Sequence, residues 1–275
     1  MEDYKRHSRY TGFGDPNFDV QLLENPSMRE YYGVGKGGCG VVIKRLEPTA
    51  DSSKVLKLGD VLMKVDGKKV GFDGTIQLRK GERIPFQYMM TTKFVGDTTE
   101  LEIIRDGKEM KVNMILDRDL SIVRAHPRTP PEYYVIGGLV FVPLTEKFLS
   151  NGFGDNWADG APTELVWVWL RQQKENPDQQ IVILTQVLAN ALTGGYQEIQ
   201  CEIVWKFNGK KIRNLRHMVD MVTKSKDQYL RWDLSQDDCV IVDRQKAFDI
   251  TPECLRVEEK FHQKIILKLQ NHEIF

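Results

Sequence analysis

Short apolar runs that lead to Asp-Gly or Asn-Gly pairs recur along the chain. In each half, one apolar run passes through a small or polar connection to a second run that ends at such a pair: Val41–Leu46 and Val61–Gly67, then Ile181–Leu188 and Glu202–Gly209. Asp-Gly and Asn-Gly are typical of the tight turns that join antiparallel strands. The pattern therefore predicts two similar units built mainly from strands.

A second hairpin, four helices, a long strand and two closing strands, Tyr229–Leu234 and Cys239–Asp243, complete the predicted elements. The hairpin joins Glu100–Arg105 to Glu109–Ile115 through Asp106-Gly107. Helical spacing of apolar residues, together with caps such as Asn25-Pro26 and Asn214, indicates the helices. The predicted helices are Asn25–Tyr32, Glu82–Lys93, Pro162–Gln173 and Asn214–Ser225. Tyr133–Val142 predicts one strand buried on both faces, with a glycine pair that allows a sharp backbone excursion.

The segment between the two units contains three prolines and no periodicity. It predicts a stiff linker, residues 120–132, between a first domain, residues 1–119, and a second domain, residues 133–247. Residues 248–275 form a C-terminal extension, in which Phe261, Ile265, Ile266 and Leu269 follow a helix-like spacing. The predicted fold class is α+β and mainly β, with two small β-barrel or sandwich domains that each carry capping helices.

Composition and charge exclude several classes of function. The 39 Lys and Arg residues balance 39 Asp and Glu residues, so no net charge draws the chain to nucleic acid or to an anionic membrane. No apolar run approaches the roughly 20 residues of a membrane span, and the amino end lacks the apolar core of a signal peptide. Four dispersed cysteines give neither a disulfide scaffold nor zinc-binding spacing. We therefore expect a soluble chain from a reducing compartment, with no nucleic acid, membrane, metal or cofactor as ligand.

Several motifs, in order, resemble the PDZ domains of Deg/HtrA serine proteases. Tyr10-Thr11-Gly12-Phe13 is similar to their carboxylate-binding loop, and Gly59–Gly67 is similar to their GDVI…NG core. Further motifs resemble the plant and protist Deg branch: Phe72–Thr75, Arg79–Ile84, Pro131–Tyr134, Gly138–Phe141 and Phe207–Lys210. The resemblance extends from about Tyr10 to about Cys254, and it implies that both domains are PDZ-like.

The resemblance also implies a peptide site in the first domain. In such a site an extended peptide pairs with an exposed strand, while loop amides hold its terminal carboxylate. The loop residues would be Tyr10, Thr11, Gly12 and Phe13, with Ile84 and Tyr88 lining the apolar groove. For Ile84 and Tyr88, packing of a helix face into the core is the alternative.

In the second domain the corresponding loop departs from the family pattern because its flanks are so apolar. The candidate groove consists of the loop Ile136, Gly137, Gly138 and Leu139 and the facing helix residues Leu215, Val219 and Val222. The apolar flanks suggest a closed or internally filled groove. We therefore expect this domain to act as a scaffold or oligomer contact.

No catalytic residues are expected in this chain. Members of the family carry a chymotrypsin-like domain with a Gly-Asn-Ser-Gly-Gly loop, and that motif does not occur in the sequence. The segment Gly37–Gly40 resembles the Gly-x-Cys-Gly loop of chymotrypsin-like cysteine proteases, but only His7 precedes Cys39. We therefore interpret Gly37–Gly40 as a glycine-rich turn that leads into the following strand.

Two functions agree with these observations. The first is the non-catalytic substrate-recognition and oligomer-assembly region of a Deg-type serine endopeptidase, which would act in protein quality control. The alternative is a stand-alone PDZ adaptor. The expected partners are protein substrates or peptides, especially apolar C-termini, and further copies of the full-length protein. The apolar end Glu273–Phe275 is either a tethered ligand for the first domain or a packed or frayed tail. Nucleus, cytosol, chloroplast and mitochondrion all remain open as locations.

Overall fold

The computed structural model describes residues 2–8, 10–35, 37–124 and 132–256. The chain folds into two units. The first unit comprises residues up to Ser121 together with Gln173–Pro177, and the second comprises Ile122–Gln172 and the residues from Asp178 onward. Across the described residues strands predominate over helices, although helical residues outnumber strand residues in the second unit. The predicted α+β, mainly β fold class is confirmed.

The first unit is an antiparallel sheet with a separate small hairpin. Its main strands are β1 (Phe18–Leu22), β2 (Val41–Leu46), β3 (Val61–Val65), β4 (Lys68–Lys69), β7 (Thr98–Arg105) and β8 (Lys108–Ile115). The strand order is β1-β2-β3-β7-β8, and β4 pairs with β3. The hairpin consists of β5 (Thr75–Arg79) and β6 (Glu82–Pro85). The predicted hairpin at Asp106-Gly107 is therefore confirmed as β7–β8.

Four short helices accompany this sheet: α1 (Glu2–His7), α2 (Pro26–Tyr31), α3 (Ser52–Val55) and α4 (Tyr88–Thr91). The predicted helix at Asn25–Tyr32 is confirmed as α2. The Asn25 side chain accepts hydrogen bonds from the Ser27 and Met28 amides, and Pro26 occupies the first turn, where its missing N–H costs nothing.

The predicted helix Glu82–Lys93 is wrong. Its first residues form strand β6, in which Ile84 lies opposite the buried Ile76 of β5, and only Tyr88–Thr91 is helical. Gly81 turns the chain with φ +83°, a conformation that glycine adopts without steric cost. The Arg83 side chain then donates a 2.6 Å hydrogen bond to Thr75 Oγ1 across the hairpin. Apolar residues at helical spacing fit a strand followed by one helical turn equally well.

Packing of the first unit centres on aliphatic residues of the sheet, with one buried ion pair at its side. Ile43, Leu62, Leu101 and Ile103 are all 1% exposed or less. Asp60, which is 2% exposed, is held by the Arg105 guanidinium through two hydrogen bonds of 2.6 and 2.8 Å. A buried carboxylate needs such a partner because it has lost its water.

The second unit is a larger antiparallel sheet. Its strands are β9 (Tyr134–Ile136), β10 (Leu139–Pro143), β11 (Val182–Val187), β12 (Glu202–Phe207), β13 (Lys210–Lys211), β14 (Tyr229–Leu234) and β15 (Cys239–Asp243). The order is β15-β14-β12-β11-β10-β9, and β13 pairs with β12. Its helices are α5 (Glu146–Phe153), α6 (Trp157–Gly160), α7 (Thr163–Arg171), α8 (Leu215–Lys224) and residues 244–256. The predicted helices at Pro162–Gln173 and Asn214–Ser225 are confirmed as α7 and α8.

The predicted single strand Tyr133–Val142 is wrong. It is a hairpin in which β9 and β10 are joined by Gly137 and Gly138, with φ of +60° and +93°. The glycine pair therefore lets the chain reverse its direction completely between β9 and β10.

Residues of the predicted linker contribute to packing. Leu120, Ile122 and Val123 are 7%, 4% and 2% exposed, whereas residues 125–131 lie outside the described part. The domain limits given above stay predictions. The tail after residue 256, with the candidate ligand Glu273–Phe275, also lies outside the described residues. No helix within the described ranges is long and apolar enough to cross a membrane.

Candidate functional site

Two amides and a hydroxyl in the predicted carboxylate-binding loop converge on a carboxylate. Thr11 N and Gly12 N donate to Asp3 Oδ2 at 2.6 and 3.3 Å, and Thr11 Oγ1 donates to Asp3 Oδ1 at 2.7 Å. Asp3 is only 1% exposed. Hydrogen bonds from neutral donors to an ionised acceptor are about twice as strong as those between neutral groups. This loop therefore has the geometry to hold a carboxylate group.

Backbone hydrogen bonds connect the loop to the segment that follows α4. Val95 N donates to Gly12 O at 3.0 Å and Gly14 N donates to Lys93 O at 2.8 Å. The Phe13 and Phe94 rings stack with centroids 5.7 Å apart, yet Phe13 remains 55% exposed. The loop is thus fixed on one side, while its aromatic side chain is available on the other.

The strand that follows this loop lies at the edge of the sheet. β1 is the terminal strand of its sheet and pairs with β2. Asp19, Gln21 and Leu22 of β1 are exposed. Between the loop and β1, the Asn17 side chain fixes the chain by donating to Arg118 O and accepting from Leu120 N. An edge strand presents unpaired backbone groups to which another extended chain can bind.

The two predicted groove residues occupy different environments. Ile84 is half-buried and packs against the core of the first unit, although it does so from strand β6 and not from a helix face. Tyr88, the first residue of α4, is 47% exposed, and Tyr10 is 58% exposed. The role of this set in peptide binding stays a prediction.

In the second unit, the predicted loop is covered by other parts of the chain. Thr251 Oγ1, in the helix 244–256, accepts a hydrogen bond from Gly137 N at 2.9 Å. The Asn190 side chain donates to Gly137 O at 3.0 Å. β10, which follows the loop, pairs with β9 on one side and β11 on the other. Backbone groups that would receive a peptide are therefore already bonded within the unit.

The remaining predicted residues of this second groove lie in the hydrophobic core. Ile136, Leu139, Leu215 and Val222 are 4% exposed or less, and Val219 is half-buried. The assignment of these residues to a closed or internally filled groove stays a prediction. They form a helix-on-sheet core, because α8 packs its apolar face on the sheet.

Cys39 lies in a groove of about 500 Å³ that residues of β3, β4, β7 and β8 line together with Gly37 and Gly38. Its Sγ is 3.4 Å from Met63 O, and burial raises the pKa of the thiol above its ordinary value. The neighbouring Lys64 and Glu102 form an ion pair at 2.5 Å, which lowers the pKa of the Glu102 carboxyl. No described residue that lines this groove is a histidine. A thiol held in its protonated form is a poor nucleophile, which supports the interpretation of Gly37–Gly40 as a turn.

All four cysteines are free in this structure. Among the residues that the structure describes, no group of three or more His, Cys, Asp or Glu side chains is placed to hold a metal ion.

Sequence reasoning missed Asp3. It precedes Thr11 by eight residues, and nothing in its spacing or neighbours marks it as the partner of the loop. The contact depends on α1 folding back, which no local pattern in the sequence indicates.

Comparisons with known proteins place the chain in a family. The PDZ domain family matches residues 123–260. Over 248 residues the chain is 38% identical to "Protease Do-like 2, chloroplastic" of Arabidopsis thaliana, covering 90% of this chain and 40% of that protein. It is 29% identical to "Putative protease Do-like 3, mitochondrial" of the same plant, with 89% and 42% covered.

A solved structure of the HtrA-type protease AlgW with a tripeptide also matches part of the chain. The matched region covers 42% of this chain and 35% of the AlgW chain, with 18% sequence identity and a TM-score of 0.30. The chain spans about two-fifths of the length of these curated plant relatives. The chain belongs to the PDZ domain family, and it is similar to the PDZ part of Deg/HtrA-type proteases.

Proposed function

We propose that this chain is the substrate-recognition and oligomer-assembly region of a Deg-type serine endopeptidase, and that its first unit binds the apolar C-termini of protein substrates. The observation that carries the proposal is the convergence of Thr11 N, Thr11 Oγ1 and Gly12 N on one carboxylate. A peptide C-terminus presents the same chemical group. The similarity to Do-like proteases over nine-tenths of the chain supports the link to proteolysis.

Two further features support peptide binding by the first unit. β1 is an edge strand and offers backbone groups to an extended peptide. The exposed rings of Tyr10 and Phe13, which contact each other edge to face at 6.4 Å, provide apolar surface beside the loop. An apolar terminal side chain would be partly removed from water there, at a gain of roughly 25 cal/mol for each Å² of apolar area buried.

The second unit has a different role in this proposal. Its loop is bonded to Thr251 and Asn190, which supports a scaffold role over a second peptide site. On α7, Trp167 is 57% exposed, and a large exposed aromatic side chain is suited to a contact between protomers. Replacement by charge, Trp167→Glu, should therefore shift the full-length oligomer towards smaller species in sedimentation velocity. An unchanged sedimentation profile would remove Trp167 from the assembly surface.

The adaptor function remains the second candidate, since a PDZ unit can bind partners without an attached protease. The plant relatives, all named as proteases, favour the first function. Their names also give chloroplast or mitochondrion, and we propose an organellar location for this protein on that basis.

The proposal is tested with one apolar-ended peptide made in two forms, a free acid and a C-terminal amide. Loss of the terminal charge removes charge-assisted hydrogen bonds worth about 1.5–3 kcal/mol, so the acid should bind about 10-fold to 150-fold more tightly in calorimetry. Gly12→Trp, which blocks the loop, should abolish this preference, with a heteronuclear NMR spectrum to verify that the variant folds. Equal affinity for acid and amide would contradict the proposed site.

A further inference from the structure

The carboxylate-binding loop of the first unit is occupied by the chain itself. Three donors of the loop are engaged by Asp3, and both carboxylate oxygens of Asp3 take part. Burial to 1% exposure removes this carboxylate from water, and the hydrogen bonds from the loop offset part of that cost. An incoming peptide carboxylate would need the same donors.

The tether between ligand and loop is short. Asp3 lies eight residues before Thr11 and nine before Gly12 in the chain. A short flexible tether gives an intramolecular ligand an effective concentration in the millimolar range. Even an intrinsically weak carboxylate contact is then populated, because Asp3 is never diluted away from the loop.

The segment that carries Asp3 is a separate small element. α1 comprises six residues, and its end is closed by a 2.9 Å hydrogen bond from Ser8 N to Tyr4 O. Tyr4 is 64% exposed, and Lys5 is exposed as well. A short helix of this length is marginal by itself in water, so it has little stability of its own once Asp3 leaves the loop.

We propose that Asp3 is an internal ligand that mimics a peptide C-terminus and holds the first unit in a self-occupied state. This inference rests on the proposed function. A substrate terminus binds by displacing Asp3, and the segment 2–8 then leaves the loop. The apparent affinity for a substrate is the intrinsic affinity multiplied by the fraction of molecules with an empty loop. If the loop is empty in about one molecule in ten, removing Asp3 raises the affinity about tenfold.

The experiment compares three forms of the full chain: wild type, Asp3→Ala and Asp155→Asn. Asp155 is exposed and belongs to the second unit, so Asp155→Asn removes one negative charge from a residue outside the first unit. Binding of the apolar-ended peptide acid and of its amide is measured for each form. We expect Asp3→Ala to bind the acid about tenfold more tightly than wild type, with a similar relative gain for the weaker amide because it needs the same empty loop, and no change for Asp155→Asn.

Two results overturn the inference while leaving the proposed function intact. Wild type and Asp3→Ala could bind the acid equally, or Asp3→Ala could bind it more weakly. The second result would mean that Asp3 supports the loop rather than competing for it. Failure of the proposed function is a different outcome, in which no form prefers the acid over the amide, and it overturns the inference as well.

A second variant separates competition from misfolding. Asp3→Asn has nearly the shape of Asp3 but no charge, and it retains one carbonyl oxygen as acceptor. It should give an affinity gain between those of wild type and Asp3→Ala. In NMR spectra of the free proteins, the Thr11 and Gly12 amide signals should move with each substitution while those of β3 and β7 stay in place. Widespread loss of β3 and β7 signals together with loss of acid binding would mean that Asp3 is needed for folding of the first unit, and it would overturn the inference.

Discussion

Replacement of Gly138 by alanine should lower the stability of the second unit much more than the addition of one methyl group suggests. Gly138 has φ +93° in the β9–β10 turn. A Cβ added there would lie 2.8 Å from Leu188 O and 2.2 Å from Asn190 Nδ2. Asn190 would have to move, although its amide donates to Gly137 O and Leu188 O at 3.0 and 3.1 Å. Leu188 is also constrained, because its own amide donates to Gly138 O at 2.7 Å.

The cost can be divided into two parts with a matched control. Gly195 has φ +88°, but a Cβ there would meet no atom within 4 Å. The positive φ alone costs an alanine about 1 kcal/mol, which Gly195→Ala should show. Gly138→Ala should cost that amount and about 2 kcal/mol more, for two displaced hydrogen bonds of about 1 kcal/mol each.

The assay is equilibrium unfolding followed by tryptophan fluorescence. All five tryptophans of the chain belong to the second unit, so the signal reports that unit specifically. A difference of about 2 kcal/mol corresponds to a melting temperature about 4–8 °C lower for Gly138→Ala than for Gly195→Ala. Equal destabilisation of the two variants would mean that close packing around Gly138 has no energetic effect, contrary to this prediction.

Three other predictions concern stability and titration. Arg105→Ala leaves the buried Asp60 carboxylate without its cation and should destabilise the first unit by about 3–5 kcal/mol, measured by hydrogen exchange of the β3 amides. Burial raises the pKa of Tyr134 to about 12. The protonated Tyr134 side chain should therefore favour the folded state fully below pH 10, and this contribution to stability should be lost as pH rises towards 12. Tyr134→Phe, which cannot ionise, is the control. Cys39, whose pKa burial raises, should react with iodoacetamide more slowly than a free thiol at neutral pH, and an equal rate would contradict its burial.

Local signals in the sequence identified most strands and helices correctly. Asn25-Pro26 marked the start of α2, because an N-cap side chain and a proline in the first turn act within a few residues. Asp106-Gly107 marked the β7–β8 hairpin for the same reason. The predicted helix Glu82–Lys93 was wrong because the spacing of its apolar residues fits more than one type of secondary structure. Ile84 and Tyr88 have helical spacing, but Ile84 pairs with Ile76 in a hairpin, and this pairing depends on a residue outside the window.

Functional sites were harder to predict because they depend on contacts between distant segments. The loop Tyr10–Phe13 was identified from its motif, whereas its occupant Asp3 could not be inferred, since the fold of α1 decides where that carboxylate lies. In the second unit the apolar flanks of Gly137-Gly138 indicated a closed loop. That closure involves Thr251, more than a hundred residues away in sequence.

The most direct test of the central claim is an NMR titration of the full chain with the apolar-ended peptide acid and with its amide. We expect the acid to move the amide signals of Thr11 and Gly12, with smaller shifts along β1, while the signals of Gly137 and Gly138 stay in place. The amide should need a much higher concentration for the same shifts. Equal responses to acid and amide, or shifts centred on Gly137 and Gly138, would contradict the claim that the first unit captures terminal carboxylates.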